Sequence, residues 1–316
     1  LTVLIDARHG VVEQTKRHSL LVSLLGVPHL VIAVNKMDLV DYSQDRFDEI
    51  RADFTDFAQK LDLHDVTFIP ISAFAGDNVV DRSPNMGWYE GSTYLNHLET
   101  VYVASDDNMI DVRFPVQYVV RPHTAEHRDY RGYAGTVAAG SLKPGDEVVV
   151  LPSGLETTVA GIDTYDSIAA GVDSIAEALP GNAVTVRLTD DIDVSRGDMI
   201  CRPNNRPDVT QDVEAMICWM DSDAPLTPRT IYKLKHTTRN VRAMVTELRY
   251  RLDINTMHRD EEASTLGLNE IGRVVMRVTA PIFVDDYRRN RVTGSFILID
   301  ESTNQTVAGG MIRLAN

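Results

Sequence analysis

The hydrophobic pattern of the first third of the chain alternates between short apolar runs and longer stretches of mixed polarity. The apolar runs are Leu1–Ile5, Val31–Val34 and Val66–Ile71, and polar residues bound them. Runs of this length predict buried strands of a parallel sheet. The stretches between them, about Gln14–Leu25 and Ser43–Leu61, predict helices. Strands that alternate with helices indicate an α/β domain.

The pattern changes character near residue 108. Ser105-Asp106-Asp107-Asn108 is a polar break suited to a linker. Beyond it, short strands such as Glu147–Leu151 and Ala183–Leu188 recur between Gly and Pro turns, which predicts closed β-barrels. Asn204-Asn205-Arg206-Pro207 marks a second boundary. The expected fold is therefore α/β followed by all-β, with domains at residues 1–108, 109–206 and 207–316.

Composition favours a cytoplasmic protein that neither crosses a membrane nor binds nucleic acid broadly. The chain has 316 residues with 43% hydrophobic residues, and it contains no secretory signal and no apolar run near the ~20 residues that span a bilayer. Cys201 and Cys218 lack metal-ligand spacing and are expected to be reduced thiols, and the nine histidines form no cluster, so no metal is assigned to protein ligands. The net charge is −15, and residues 1–110 carry 8 Lys and Arg against 17 Asp and Glu. Nucleic-acid affinity depends on neutralised phosphates, so this balance lowers the expectation of RNA binding without excluding one local face.

The candidate chemistry begins at Asn35-Lys36-Met37-Asp38, directly after the second apolar run. Ligands of open α/β sheets bind beyond the carboxyl ends of the strands. There, Asp38 could accept two hydrogen bonds from N1 and N2 of guanine, which adenine cannot supply. Asn35 would bond N7 and connect neighbouring loops, and Lys36 would lay its methylene stem along the base. The alternative is a helix-capping turn, because Asp is a good cap, and the tetrapeptide alone leaves both open.

A second element favours the guanine interpretation. The run Val66–Ile71 ends in Ser72-Ala73, followed by the loop Phe74-Ala75-Gly76-Asp77-Asn78. This order resembles the guanine pocket of GTPases, in which the backbone N–H of the residue after the serine meets guanine O6. The resemblance implies GTP as the nucleotide and Asn35, Lys36, Asp38, Ser72 and Ala73 as its base-binding residues.

The phosphate-binding half of such a site has no counterpart here. No Gly-x-x-x-x-Gly-Lys-Ser/Thr sequence, which would hold the phosphates and Mg²⁺, occurs in the chain. Asp6-Ala7-Arg8-His9-Gly10 has three residues between Asp and Gly and is not the Asp-x-x-Gly metal loop. We therefore expect the catalytic residues and the Mg²⁺ ligands upstream of Leu1, in a segment of about a hundred residues. The isolated chain is expected to be inactive as a GTPase.

The later segments resemble one superfamily. Gly135-Thr136-Val137-x-x-Gly140-x-Leu142-Lys143-x-Gly145-Asp146 is similar to the barrel motif of the elongation-factor-Tu-like translational GTPases. Within that superfamily the chain most resembles the GTP-binding large subunit of bacterial sulfate adenylyltransferase. The motifs that carry this resemblance are His18–Val27, Val34–Val40, Asp129–Thr136, Tyr232–His236, Leu268–Val274 and Asn290–Asp300.

The resemblance implies a subunit that hydrolyses GTP beside a small catalytic subunit, which forms adenylylsulfate from ATP and sulfate in sulfate assimilation and cysteine biosynthesis. Some members of that family continue into a C-terminal adenylylsulfate kinase, a candidate fused partner in the full-length protein. No membrane or nucleic-acid partner is expected. Two alternatives remain open: a translation elongation factor that binds aminoacyl-tRNA, and an interaction scaffold without GTPase activity.

Two basic stretches each have a structural and a functional interpretation. The run Tyr287–Arg291 carries three arginines and suits a charged hairpin turn better than an anion or RNA patch. Lys233, Lys235 and His236 are equally compatible with a contact to the small subunit and with a solvated strand face.

Overall fold

The computed structural model of the chain describes residues 1–61, 63, 65–101, 108–122, 130–165 and 174–314. Contacts between Cα atoms divide the chain into two compact units. Leu1–Ser105 and Asp253–His258 form the first, and Asp106–Leu252 and Arg259–Asn316 form the second. The predicted linker residues 105–107, and residue 129 of the stretch Asp129–Thr136, lie outside the described residues. Across these described ranges, no helix is both long and apolar enough to span a bilayer.

The first unit is an α/β layer built on a three-stranded parallel sheet of order β1-β2-β3. The predicted strands and helices are present, with ends that differ from the expected ones by one to a few residues. The elements are β1 (Thr2–Asp6), α1 (Glu13–Leu24), β2 (His29–Asn35), a 3₁₀ turn (Met37–Val40), α2 (Gln44–Ala58), β3 (Asp65–Pro70) and α3 (Tyr94–Thr100).

The central strand β2 is buried on both faces, as its unbroken apolar sequence predicts. Ile32 and Val34 pack with Phe54 of α2 in one cluster, whereas Val31 and Ala33 belong to a cluster on the opposite face. Because both of its faces are packed, β2 holds its carboxyl end in a fixed position between β1 and β3. That end carries the Asn-Lys-x-Asp tetrapeptide.

The second unit begins with a closed six-stranded antiparallel barrel of order β4-β5-β8-β7-β6-β9. Alternate residues of each strand, such as Val148 and Val150, point into its apolar core. The strands are β4 (Arg113–Val120), β5 (Gly132–Thr136), β6 (Glu147–Leu151), β7 (Leu155–Asp163), β8 (Ala183–Leu188) and β9 (Met199–Cys201).

A second barrel follows in the same unit. Its strands pair in the order β11-β15-β16-β10-β14-β12, pairing of β11 with β12 closes it, and β13 is added beyond β12. Trp219 is buried in its core. The strands are β10 (Asp208–Trp219), β11 (Ile231–His236), β12 (Arg239–Leu252), β13 (Arg259–Asp260), β14 (Ile271–Val284), β15 (Ser295–Ile299) and β16 (Thr306–Ile312). Together with the first unit, the barrels confirm the predicted fold class.

A buried ion pair joins the two barrels. Arg113, at the start of β4, is fully buried and donates from Nε and Nη2 to the two carboxylate oxygens of Asp285, both at 2.8 Å. Thr293 Oγ1 donates to the same carboxylate at 2.6 Å. His236 is 1% exposed and its Nε2 donates to the Thr293 carbonyl oxygen at 2.8 Å, so this histidine belongs to the interior and not to a surface contact.

The arginine-rich turn after β14 contributes to the same joint. Arg289 donates from Nε and Nη2 to both oxygens of the Asp111 carboxylate, at 2.7 and 2.8 Å. Asp111 also accepts a short hydrogen bond from Asn205. One of the three arginines of this run is therefore a structural residue that connects the barrels.

Candidate functional site

The candidate site lies where the three parallel strands of the first unit end. Asp6 is the last residue of β1 and pairs in register with Asn35, the last residue of β2. Val34 pairs with Pro70, so Ser72 follows at the corresponding end of β3. Since parallel strands bring their carboxyl ends to one edge of the sheet, polar residues from three separate segments meet there.

Asn35 connects the two loops that follow β2 and β3. Its Oδ1 accepts hydrogen bonds from the backbone N–H of Lys36 at 2.7 Å and from the backbone N–H of Ala73 at 3.0 Å. Both lone pairs of this oxygen are engaged, and the amide nitrogen Nδ2 is the group that remains to donate to a ligand. Asn35 therefore connects the two loops. The Ala73 N–H, which was expected to meet guanine O6, donates to Asn35 in this structure.

The backbone of Lys36 adopts an uncommon conformation. Its φ is +66°, in the left-handed region, which aims the side chain back over β1. There Lys36 Nζ donates to Asp6 Oδ2 at 2.8 Å. Arg8 donates to both oxygens of the same carboxylate, at 3.0 and 2.6 Å. The hydrogen bonds from Arg8 and, to a smaller extent, from Lys36 hold the pKa of Asp6 well below its usual range, although burial alone would raise it.

Asp38 does not cap a helix. Its Oδ1 accepts a hydrogen bond from Ser72 Oγ at 2.6 Å, whereas α2 is capped by Ser43, whose Oγ accepts from the Arg46 N–H at 3.2 Å. The helix-capping interpretation of the tetrapeptide is therefore wrong. Ser72 orients the carboxylate of Asp38, and a carboxylate has lone pairs left to accept further hydrogen bonds.

Two residues of the loop after β3 gain a role that the sequence did not reveal. Asp77 accepts hydrogen bonds from the hydroxyls of Tyr42 and Ser83, at 2.9 and 2.6 Å, and so fastens this loop to the turn after β2. The hydrogen bond to Asp77 raises the pKa of Tyr42. Phe74, directly after Ala73, has a side chain that is 96% exposed. An aromatic ring left in water beside a polar cluster is a candidate stacking surface.

The arrangement suits one edge of a planar base. The Asp38 carboxylate can accept two parallel N–H groups, and Asn35 Nδ2 can donate to a ring nitrogen. The methylene stem of Lys36 and the ring of Phe74 supply apolar surface for the faces of the base. Guanine presents N–H groups at N1 and N2 and an acceptor at N7, so its edge is complementary to these groups.

The described residues offer no complete set of protein ligands for a metal ion. Within the described part of the chain, no group of three or more His, Cys, Asp or Glu side chains could hold a metal. The sequence also lacks the Gly-x-x-x-x-Gly-Lys-Ser/Thr loop. No step is therefore assigned to a metal in this chain.

Comparisons with known proteins agree with this geometry. Residues 1–128 match the elongation factor Tu GTP binding domain, and residues 212–313 match the GTP-eEF1A C-terminal domain-like family. The bifunctional enzyme CysN/CysC of Mycobacterium tuberculosis is 58% identical over 310 residues, and sulfate adenylyltransferase subunit 1 of Bacteroides fragilis is 48% identical over 310 residues. Over almost its whole length, the chain is therefore similar to CysN/CysC and to sulfate adenylyltransferase subunit 1.

The match covers 98% of this chain, but only 50% of the Mycobacterium protein and 63% of the Bacteroides protein. The chain thus spans between half and somewhat less than two thirds of the length of these relatives. A solved structure of sup35 complexed with GDP shares the fold, with a TM-score of 0.57 and 23% identity over 96% of this chain and 74% of that one. At this identity the likeness concerns the fold alone.

Proposed function

We propose that this chain is the guanine-recognising and barrel portion of a GTPase subunit of sulfate adenylyltransferase. In the complete enzyme, GTP hydrolysis would drive the formation of adenylylsulfate from ATP and sulfate on a small catalytic subunit, in the cytoplasm. The observation that carries the proposal is the Asn35, Asp38 and Ser72 cluster at the strand ends, in a chain 58% identical to CysN/CysC of Mycobacterium tuberculosis.

Each residue of the cluster has a separate role in this proposal. Asp38 selects guanine over adenine, because it accepts from two N–H groups that adenine does not present. Ser72 keeps the carboxylate in place through its 2.6 Å hydrogen bond. Asn35 bonds N7 and holds the Ala73 loop against the tetrapeptide. Asp6 fixes the Lys36 ammonium, so the lysine stem lies along one face of the base.

The phosphates and Mg²⁺ belong to another part of the complete subunit in this proposal. Phosphate and metal contacts supply most of the catalysis in GTPases. This chain contributes base selectivity and the barrels. Coupling then requires that the GTP-bound and GDP-bound states of the subunit contact the small subunit differently, since a ligand shifts an equilibrium only by its differential affinity.

The base-recognition part is tested on the chain itself. Guanosine and adenosine are titrated into ¹⁵N-labelled protein, and the backbone amide signals of Asn35, Lys36 and Ala73 are followed. We expect saturable shifts with guanosine and none with adenosine, and loss of the guanosine shifts in Asp38→Ala. Equal shifts with both nucleosides would overturn the assignment of Asp38 as the selectivity residue.

The coupling part requires the full-length subunit with its small partner. We expect GTP to increase adenylylsulfate formation, measured by pyrophosphate release, and ATP plus sulfate to increase GTP consumption. Reciprocal effects of this kind follow from linkage. If GTP changed neither the rate nor the extent while aminoacyl-tRNA bound tightly, the translational alternative would replace this proposal.

A further inference from the structure

A cluster of arginines on the outer face of the second barrel has more positive charge than its carboxylates neutralise. Two of these arginines share one acid: Arg249 Nε and Arg273 Nε both donate to Glu214 Oε1, at 2.9 and 2.7 Å. Arg313 follows β16 and is placed beside β10, because its backbone N–H donates to the Glu214 carbonyl oxygen at 2.9 Å. These residues come from four different segments of the barrel and form one continuous surface.

Arg313 is the most constrained member. Its side chain is 15% exposed, and its ion pair is a long one, with Nη1 at 3.5 Å from Asp286 Oδ1. Asp286 also accepts backbone N–H groups of Arg288 and Leu314, at 2.9 and 3.2 Å. Desolvation has the largest effect on the pKa of Arg313, and the positive charge of Arg288 has the second largest. Both lower this pKa. A guanidinium this close to like charges is stabilised by an additional anion.

Tyr250 lies close to Arg273 and Arg313. It pairs in register with Arg273 across β12 and β14, and its hydroxyl is 3.6 Å from Met216 Sδ. Arg, Tyr and Met are the residue types enriched in the buried cores of protein interfaces. An aromatic ring among arginines is also the usual composition of a binding hot spot.

The charge balance of the surroundings makes this surface distinctive. We call Arg249, Arg273, Arg288, Arg313 and Tyr250, with Glu214 and Asp286, the arginine patch: four positive charges face two negative ones. Residues 208–316 as a whole carry 14 Lys and Arg against 15 Asp and Glu, and the chain has a net charge of −15. A local surplus of positive charge on an acidic protein attracts a localised anionic partner more than a long polyanion, which would meet repulsion beyond the patch.

We infer that the arginine patch is a docking site for an acidic, Asp- and Glu-rich segment of a protein partner. The guanidinium groups of Arg249 and Arg288 remain the accessible donors at its rim, and they can bind carboxylates in two-point geometry. The Arg259 guanidinium lies over the Tyr250 ring, 5.0 Å from its centroid, and the rest of the ring supplies apolar surface. No residue of the patch belongs to the guanine cluster, so this inference stands independently of the proposed function.

The test uses the purified chain and a fluorescein-labelled poly-glutamate peptide, with binding measured by fluorescence anisotropy. We expect binding that weakens as salt is raised. Arg249→Glu combined with Arg288→Glu should weaken binding by about tenfold or more, because rim charges set electrostatic association. Arg249→Lys with Arg288→Lys retains the charge and should retain most of the binding.

The matched control is Arg121→Glu combined with Arg196→Glu, the same charge change at two exposed arginines of the first barrel, which should alter the affinity by less than about twofold. Melting temperatures of all variants are compared to exclude unfolding. Equal loss of binding in the control and in the patch variant would overturn the inference. A labelled single-stranded RNA is titrated in parallel, and tighter binding of RNA that the patch variant abolishes would assign the patch to nucleic acid and also overturn it.

Discussion

Two polar clusters of this molecule differ in how many of their hydrogen-bonding atoms are engaged within the protein. At the joint of the barrels, Arg113, Asp285, Thr293 and His236 hydrogen-bond one another and are all buried. At the strand ends of the first unit, Ser72 is buried, but Asn35, Lys36 and Asp38 are partly exposed, and Asn35 and Asp38 bond their neighbours through only some of their polar atoms.

This difference distinguishes polar groups that stabilise the fold from polar groups that bind a ligand. A buried charge is tolerated when every donor and acceptor around it is satisfied, and such a network then specifies how elements pack. A cluster that keeps its backbone in place yet leaves lone pairs and an amide nitrogen toward solvent is preorganised for a ligand. By this criterion, the barrel joint is a structural network and the strand-end cluster is a ligand-binding site.

The largest effect is expected at the barrel joint. Asp285→Ala leaves the fully buried Arg113 guanidinium without its carboxylate, which should lower the free energy of unfolding by about 3–5 kcal/mol. Urea denaturation measures this through the fluorescence of Trp219, in a Trp88→Phe background that leaves one tryptophan in the chain. The control is Glu301→Ala, which removes the exposed acidic partner of Arg242 and should cost about 0–1 kcal/mol. Equal costs for the two variants would remove the distinction between the buried and the exposed pair.

The second effect concerns selectivity at the strand ends. Asp38→Asn replaces an acceptor by an amide that also donates, so GTP should bind the full-length protein more weakly and xanthosine triphosphate more tightly. Each lost charge-assisted hydrogen bond contributes on the order of 1.5–3 kcal/mol. Calorimetric titration of both nucleotides measures the switch. Asp41→Asn, in the turn that follows, is the matched control and should leave the preference for GTP intact; unchanged GTP affinity in Asp38→Asn would refute the role of this residue.

The sequence revealed the strand-end cluster better than the barrel joint, because of the distances along the chain. Asn35 and Asp38 lie in one tetrapeptide after an apolar strand, and the order of strands brings Ser72 beside them. The Lys36 contact with Asp6 spans 30 residues and follows from the parallel register only once the sheet is known. Arg113 and Asp285 are 172 residues apart, and no local pattern connects them.

The strands that the sequence did not predict have a similar explanation. Strand β16 contains Gly309 and Gly310, which lower strand propensity, yet Gly310 is required because a Cβ there would overlap the ring of Phe296 on β15. Strand β7 contains a polar Glu-Thr-Thr run directly after Leu155, and this run resembles a loop. In both, pairing with neighbours on each side overrides the local preference.

A third, smaller effect should appear when pH is lowered. Burial lowers the pKa of His236 below its ordinary value near 6.5, so the folded barrel keeps this ring neutral where the unfolded chain protonates it. The unfolded state then binds more protons, and this contribution to stability is present above about pH 6.5 and is lost as pH falls, by up to about 1.4 kcal/mol per pH unit. Denaturation from pH 7.5 to 5.5 measures the slope. His236→Gln should be less stable at pH 7.5 but should show a flatter dependence, whereas an unchanged slope would assign the loss to other groups.

The smallest effect tests whether the strand-end cluster is preorganised by its own hydrogen bonds. Ser72→Ala removes the donor that holds Asp38 Oδ1, and it should weaken GTP binding by about 1 kcal/mol, or roughly fivefold, since the carboxylate must then be ordered by the ligand itself. Ser83→Ala removes an equivalent hydroxyl-to-carboxylate bond from the same loop, to Asp77 instead of Asp38. Both variants lose one neutral donor to a carboxylate, so any general loosening of the loop is common to them. Calorimetric titration should therefore show a loss of affinity in Ser72→Ala that exceeds the loss in Ser83→Ala, and equal losses would mean that loop order, and not the orientation of Asp38, determines base recognition.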